Sequence, residues 1–350
     1  MNDHLKLNVS LLRRRVPNLT TAARSVGLRP ATVSNLCTGK ISVGRAEVKT
    51  ILTLANLANC TMDELIIQGG KLNMIETGIK PLDLFAPIVQ GGTNGFIARS
   101  QIGQFVVLAE LTQLLKEKGY SSILLTPNQT FPGLSDLEGF VNTKCHSIED
   151  AFAEVALIEE KQNVILYVDR SFIVSGELYE LRERFEAEGY PDVTTILFDP
   201  SGEAVDVDDP FGPLDSLCYF DIDLATRGIY PAIHPVQSTS VLVEEDALES
   251  NHTAIHRKAK KLLRRYKEIR VLMNTLGKEK IPEADLELFE KGERLEAYLS
   301  QPFYVAEEFT KIKGETVSIQ DSIQDIEKIL SGSYNHLKPV DMKYKGTLSK

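Results

Sequence analysis

The strongest constraint on how this 350-residue chain folds is a set of short, unbroken apolar runs separated by helical stretches. They are Phe96-Ile-Ala98, Ile123-Leu-Leu125, Val164-Ile-Leu-Tyr-Val168 and Thr194-Thr-Ile-Leu-Phe198. A strand buried on one face alternates apolar with polar residues, whereas one buried on both faces is continuously apolar. Residues 103–118, 148–160 and 175–188, which lie between the runs, carry helical patterning. Strands alternating with helices predict a parallel sheet covered on both sides. From about residue 245 the runs stop and charged helical periodicity replaces them, clearest over 259–275 and 283–299. That stretch reads as a helical bundle. The fold class expected is α/β, with an all-α head over 1–70, a parallel α/β domain over 71–245 and a C-terminal helical bundle over 246–350.

No apolar run approaches the ~20 residues that span a bilayer, so no membrane insertion is expected. The N-terminus lacks an apolar core followed by a small-residue cleavage site. Cys37, Cys60, Cys145 and Cys218 are widely spaced with no C-x-x-C pair, which argues against a zinc site and against a disulfide framework. Buried free thiols in a reducing cytoplasm are expected, and no metal site. The net charge of −10 divides unevenly. Residues 1–70 hold nine Lys/Arg against four Asp/Glu, and residues 71–350 hold 30 against 45. A basic head on an acidic body is the asymmetry expected when one end meets phosphate.

Within the head, Leu19–Gly27 reads as a short helix closed by a glycine that supplies a positive-φ turn. A second helix starts at once with Pro30, whose missing N–H costs nothing in a first turn. Its Val33 and Leu36 would pack inward, and Gly39 would close it. Arg45–Asn59 and Met62–Ile67 follow as further helices. Gly27-Leu-Arg-Pro-Ala-Thr-Val-Ser-Asn-Leu36 resembles the helix-turn-helix of the lambda-repressor/Cro type. Ala-Thr-Val-Ser is also similar to the lactose-repressor type, but the closing helices favour the first comparison. The resemblance covers residues 5–67 and implies a double-stranded DNA partner. Arg29, Ala31, Thr32 and Asn35 become the base-edge readers, since Asn pairs with adenine, Arg with guanine, and a methyl meets thymine. Thr21, Lys40, Arg13, Arg14 and Arg15 become phosphate contacts, which position without specifying. One head reads a half-site, so self-association is expected. The alternative is a small helical bundle used for protein contacts.

Gln68-Gly-Gly-Lys71 reads as a short polar hinge. Beyond it, Glu76-Thr-Gly-Ile-Lys-Pro-Leu-Asp-Leu-Phe-Ala-Pro87, Gly91-Gly92, Gly228-Ile-Tyr-Pro-Ala232 and Ser238-Thr-Ser240 resemble the catalytic β subunit of rotary ATP synthases. So do Arg265-Tyr-Lys-Glu-Ile269, Tyr298-Leu-Ser-Gln-Pro-Phe303, Val305-Ala-Glu307 and Tyr334-Asn-His-Leu337. The blocks keep the family's order over 74–340. They imply a RecA-like nucleotide domain and the family's helical bundle, with the helix-turn-helix in place of the N-terminal β-barrel.

A phosphate-binding loop needs glycine for close backbone approach, lysine for the β/γ-phosphates and Ser/Thr for Mg²⁺. The matching stretch is Ala98-Arg-Ser-Gln-Ile-Gly-Gln-Phe105. Gly103 keeps its place, but Gln104 stands at the lysine position and Phe105 at the metal-ligand position. Arg99 is the one substitute cation nearby. Gln129 and Thr130 stand where the family has Glu and Arg, and an amide is no general base. Asp169 matches the Mg²⁺-associated aspartate, whereas the family arginine four residues on is Ile173. Hydrolysis is therefore not expected. Tyr230, Tyr298 and Phe303 match the aromatics around the base, so a nucleotide could bind without hydrolysis, unless these rings are core packing. The rotor-facing acidic loop appears as Lys278-Glu-Lys-Ile-Pro-Glu-Ala-Asp285, with changed charge. The leading expectation is a DNA-binding transcriptional regulator with a catalytically inactive ATPase-like domain for assembly, docking or ligand sensing. The alternatives are an assembly factor for rotary-ATPase-like subunits and a residual ATPase or DNA motor.

Overall fold

The computed structural model describes residues 5–16, 18–37, 41, 43–68, 72–190, 192–207 and 210–348, with the side chains of residues 6, 10, 13, 14, 20, 67, 68 and 278 outside that description. The expected mixed α/β architecture is present, with a parallel-dominated sheet and a helical C-terminal region.

Two strands belong to the head, β1 (Leu5–Leu7) and β2 (Ile66–Gln68), paired antiparallel. A second small pair, β3 (Met74–Ile75) and β4 (Ile88–Val89), opens the body. The main sheet holds β5 (Thr93–Ile97), β6 (Ser121–Leu125), β7 (Thr143–Cys145), β8 (Val164–Asp169), β9 (Thr194–Phe198), β10 (Ser216–Tyr219) and β11 (Thr239–Ser240). Its order is β11-β10-β5-β9-β8-β6-β7, parallel throughout except for β11. All four predicted runs are strands, and β5, β8 and β9 are buried along their whole length. The first begins three residues earlier than the apolar run, with buried Thr93 and Asn94. The Asn94 amide satisfies the Val89 backbone on both its N–H and its carbonyl. That side chain substitutes for a strand neighbour, which is why a polar residue stands there.

Helices Gln104–Glu117, Ile148–Leu157 and Glu177–Ala187 lie within the three predicted stretches. One apolar layer packs Leu108, Leu111 and Leu115 against Phe96, Ile165 and Phe198. The opposite face packs Val155, Leu178 and Leu181 against Leu125, Leu166 and Leu197. Fully burying one such side chain contributes ~1.5–3 kcal/mol, so these two layers hold the sheet together.

The helical region is built on Ser250–Leu276, Glu283–Leu299 and Ile319–Ser331. It shares a third core with Leu84 and Phe85 from the short helix Lys80–Phe85, whose Leu82 faces the sheet layer instead. This piece is fixed by polar groups that have lost water. Asp83 accepts from the backbone N–H groups of Thr77 and Gly78 and from the Thr77 hydroxyl. The Lys80 ammonium donates to the carbonyls of Tyr298, Lys345 and Gly346 and lies over the Tyr298 ring. Burial pulls the Lys80 amine down to about 7.

The head has its own core of Leu12, Val33, Leu36, Ile51, Leu54 and Leu65. One expected helix is shorter than predicted: Met62–Leu65 is helical, closed at its start by a Thr61–Glu64 capping box. The chain then turns extended, and Ile66 and Ile67 pair with Leu7 and Lys6. β-branched residues suit a strand better than a helix end, and the partner strand lies about sixty residues away. Of the polar hinge, Gln68 ends that strand, and residues 69–71 lie outside the described residues. Among the described residues, no helix is long and apolar enough to cross a membrane.

Candidate functional site

In an open parallel sheet, ligands bind outside the carboxyl ends of the strands where the connections change direction. Here β5 is that point: the chain leaves it for β6, returns through β8 and β9 on one side, and reaches β10 on the other. The loop after β5 is the phosphate-loop stretch predicted from sequence. Gln101 and Gly103 hold φ of +65° and +90°, and Gly103 caps the fourteen-residue helix Gln104–Glu117. Exposed N–H groups at a helix start suit an anion.

The side chains are arranged differently. Gln104 is buried, and its amide donates back to the Phe96 carbonyl at 3.1 Å. Phe105 lies edge-on to Phe198, 5.7 Å between ring centres, and its ring also reaches Gly133. Neither position offers the loop a cation or a metal-binding oxygen. Arg99 is held by Asp206 through two hydrogen bonds of 2.8 and 3.1 Å. The segment carrying Asp206 sits close on the loop, since a Cβ on Gly202 would lie 2.5 Å from the Ser100 nitrogen.

Asp169 ends β8, buried, with one carboxylate oxygen accepting the Ser171 N–H at 2.8 Å and the other without a hydrogen-bond partner among the described residues. Burial, with Asp199 nearby, raises its carboxyl above the usual range. Asp199 spends its oxygens on Ser201 and Ala204, shaping the turn that carries Gly202. Gln129 and Thr130 are exposed beyond β6, and Ile173 packs into the sheet core. Among the described residues, no group of three or more His, Cys, Asp and Glu gathers as for a metal.

The three candidate base-facing aromatics separate. Tyr230 is 40% exposed and its ring lies 3.5 Å from where a Cβ on Gly103 would be, directly beside the loop. Phe303 belongs to the sheet core. Tyr298 is fully buried in the bundle core, its hydroxyl donating to Asp325, and it presents no face to a base. Sequence reasoning missed Phe309, 88% exposed on the short helix Glu307–Thr310. Its segment is tied to the loop side because Gln301 donates its N–H to the Tyr230 carbonyl and Glu110 accepts from Tyr304 and Val305. The only sequence signal was an aromatic two residues beyond Val305-Ala-Glu307.

In the head, Leu19–Ser25 and Pro30–Cys37 flank a turn in which Gly27 holds φ +79°. Ala23, Val33, Leu36 and Cys37 point inward. Thr21, Arg29 and Ala31 are exposed, Thr32 and Asn35 half-buried. Arg15 is occupied elsewhere: it donates to the Asn59 carbonyl at 2.7 Å and approaches Glu64 at 3.8 Å. These contacts tie the first helix to the end of the head, while the Arg15 side chain stays 38% exposed. Arg13 and Arg14 lie on the helix Val9–Arg15, but their side chains fall outside the described residues, as does Lys40 entirely. All four cysteines are free thiols, three of them buried.

Residues 243–332 match a family described as the C-terminal domain of V and A type ATP synthase. Among solved structures, the chain is similar to a unique ATP synthase subunit, NeqB, from Nanoarcheaum equitans. The two are 16% identical, with 76% of this chain and 77% of that one covered, at a TM-score of 0.57. A likeness at that identity carries the fold.

Proposed function

We propose that the chain is a non-hydrolytic subunit of rotary-ATPase type, using the body of such a subunit to associate with partners of like architecture. The observation that carries this reading is the pair at the start of the loop helix. Gln104 is turned back onto Phe96, and Phe105 is packed on Phe198, so a magnesium-bound triphosphate does not fit the residues present. An amide in place of a charged donor forgoes roughly 1.5–3 kcal/mol of interaction with an anion. The match of residues 243–332 to an ATP synthase C-terminal domain supports the choice of partner class. Tyr230, 40% exposed with its ring beside Gly103, offers a face to a flat ligand bound without hydrolysis. The test is affinity capture of the tagged chain from its own cells, with captured proteins identified by mass spectrometry. Stoichiometric rotary-ATPase-type subunits are expected; their absence from a folded, captured chain overturns the reading.

A second reading assigns the head to DNA-binding regulation, the body serving for assembly. It is favoured by the Gly27 turn and by Arg29 and Ala31, exposed at the start of Pro30–Cys37, where a recognition helix presents its readers. Sequencing of genomic fragments retained by the purified chain at near-physiological salt tests it. A few enriched sites sharing a repeated half-site support it. Uniform retention that fades with salt, or no retention, refutes it.

A further inference from the structure

The acidic body carries one strongly basic element. Helix Ser250–Leu276 contains eight Lys/Arg and a single acidic residue, Glu268. Five of the basic side chains are engaged: Arg257 with Asp246, Lys260 with the Ser238 carbonyl, Arg265 with Asp285, Lys267 with Asp221 and Arg270 with Asp223. Lys258, Lys261 and Arg264 are exposed, and no hydrogen bond or ion pair among the described residues involves them. At successive steps of three they share one side of the helix.

The neighbouring helix Glu283–Leu299 has the opposite character, with six acidic residues and two basic. Glu283, Glu287 and Glu290 are exposed at i, i+4 and i+7, a single narrow stripe. Glu283 and Glu287 have no hydrogen bond or ion pair among the described residues, and Glu290 only approaches Arg294, at 3.6 Å. Beside the stripe is a groove of about 260 Å³ lined by Leu286, Phe289 and Pro339 together with Glu290, Glu293 and Arg294. The basic helix continues past its cations into exposed Val271 and Leu272. One helix therefore shows cations followed by apolar residues, and the other an acidic stripe along a groove with Leu286, Phe289 and Pro339 in its lining.

From this complementarity we propose that the two surfaces are an interface between copies of the chain, Lys258, Lys261 and Arg264 of one copy facing Glu283, Glu287 and Glu290 of the next. The inference is independent of the partner class argued above, because both surfaces belong to this chain. Unpaired charges of one sign on a rigid helix cost little while hydrated. They gain most from a partner that offers the opposite sign at similar spacing together with apolar area to bury.

The experiment is light-scattering mass of the full chain, at low and at high salt, for wild type and two triple reversals. These are Lys258→Glu/Lys261→Glu/Arg264→Glu and Glu283→Lys/Glu287→Lys/Glu290→Lys. Wild type is expected to assemble at low salt and to weaken about tenfold or more at high salt. Each reversal alone should be monomeric, and an equimolar mixture should recover the assembled mass. If circular dichroism shows either triple misfolded, Lys261→Gln and Glu287→Gln replace them, each expected to weaken assembly. A monomeric wild type, a variant that keeps the assembled mass, or folded reversals that fail to combine would overturn the proposal. So would a basic-stripe reversal that changes DNA affinity while leaving the mass unaltered.

Discussion

Phe105→Thr places at one position the residue type that a phosphate loop uses for its metal ion, and it should destabilise the protein without conferring ATP turnover. The Phe105 ring meets Phe198 edge-on at 5.7 Å and fills the space against Gly133, where a Cβ would already lie 3.3 Å from the ring. Truncating a fully buried Phe costs about 3–5 kcal/mol. Phe105 is half-buried, which brings the loss to roughly half of that, and an edge-on aromatic pair adds about 0.5–1.5 kcal/mol. The expected destabilisation is thus about 2–4 kcal/mol, a fall of several degrees in the melting transition of the sheet domain. Differential scanning calorimetry reads it directly, with ATP turnover measured on the same samples. Turnover should stay at the buffer level, because Gln104, Gln129 and Thr130 are unchanged. An unchanged transition would mean that the ring is not a packing element. Turnover gained on this single change would mean that Phe105 merely blocks a competent site.

Three further outcomes follow from particular side chains. Burial holds the Lys80 amine at about 7, far below its ordinary 10.5, so between those values the unfolded chain binds the extra proton. Stability should rise with pH through that window by at most ~1.4 kcal/mol per unit, and Lys80→Met should abolish the slope in urea unfolding. A wild-type-minus-variant difference that is flat from pH 7 to pH 9 contradicts this. At the acid end, His252 is lowered to about 4 by burial, with His234 and His256 also lowered. Their stabilising contribution is complete above the ordinary histidine value of 6.5 and is lost as pH falls towards 4. His252→Gln should remove up to about 3 kcal/mol of that acid sensitivity, and an unaltered acid midpoint argues against it. In the head, Asn35→Ala should lower DNA affinity by ~1–3 kcal/mol at one base position. Arg15→Ala should instead lower the stability of the head and leave the salt dependence of DNA binding unchanged. A reduced salt slope would make Arg15 a phosphate contact as well.

How far the fold could be read from sequence depended on where each residue finds its partners. β5, β6, β8 and β9 were legible because strands covered on both faces are continuously apolar. β7 and β10, three and four residues long, were not, since β7 has a single buried residue, β10 alternates in burial, and neither forms a run. The pairing of Leu5–Leu7 with Ile66–Gln68 left no local trace, because its register is set by the head's whole core. The same holds in the site. That Gln104 and Phe105 stand where the resemblance expects lysine and a hydroxyl can be read from sequence, but their destinations, Phe96 and Phe198, cannot. Arg99 offered a free cation in sequence and meets Asp206, 107 positions later, in space. Tyr298 carries the motif of a base-facing ring, yet Leu84, Phe85 and Ile326 bury it in a different core. Local patterning gives elements, and long-range packing decides which side chains remain free to act.

The most direct test of the central claim is phosphate release from Mg²⁺-ATP by the purified full chain, with Asp169→Asn measured beside it. Release equal to buffer is expected for both proteins, because Gln104 and Phe105 are turned into packing. Release above buffer by the wild type that disappears in Asp169→Asn would contradict it and establish a working ATPase.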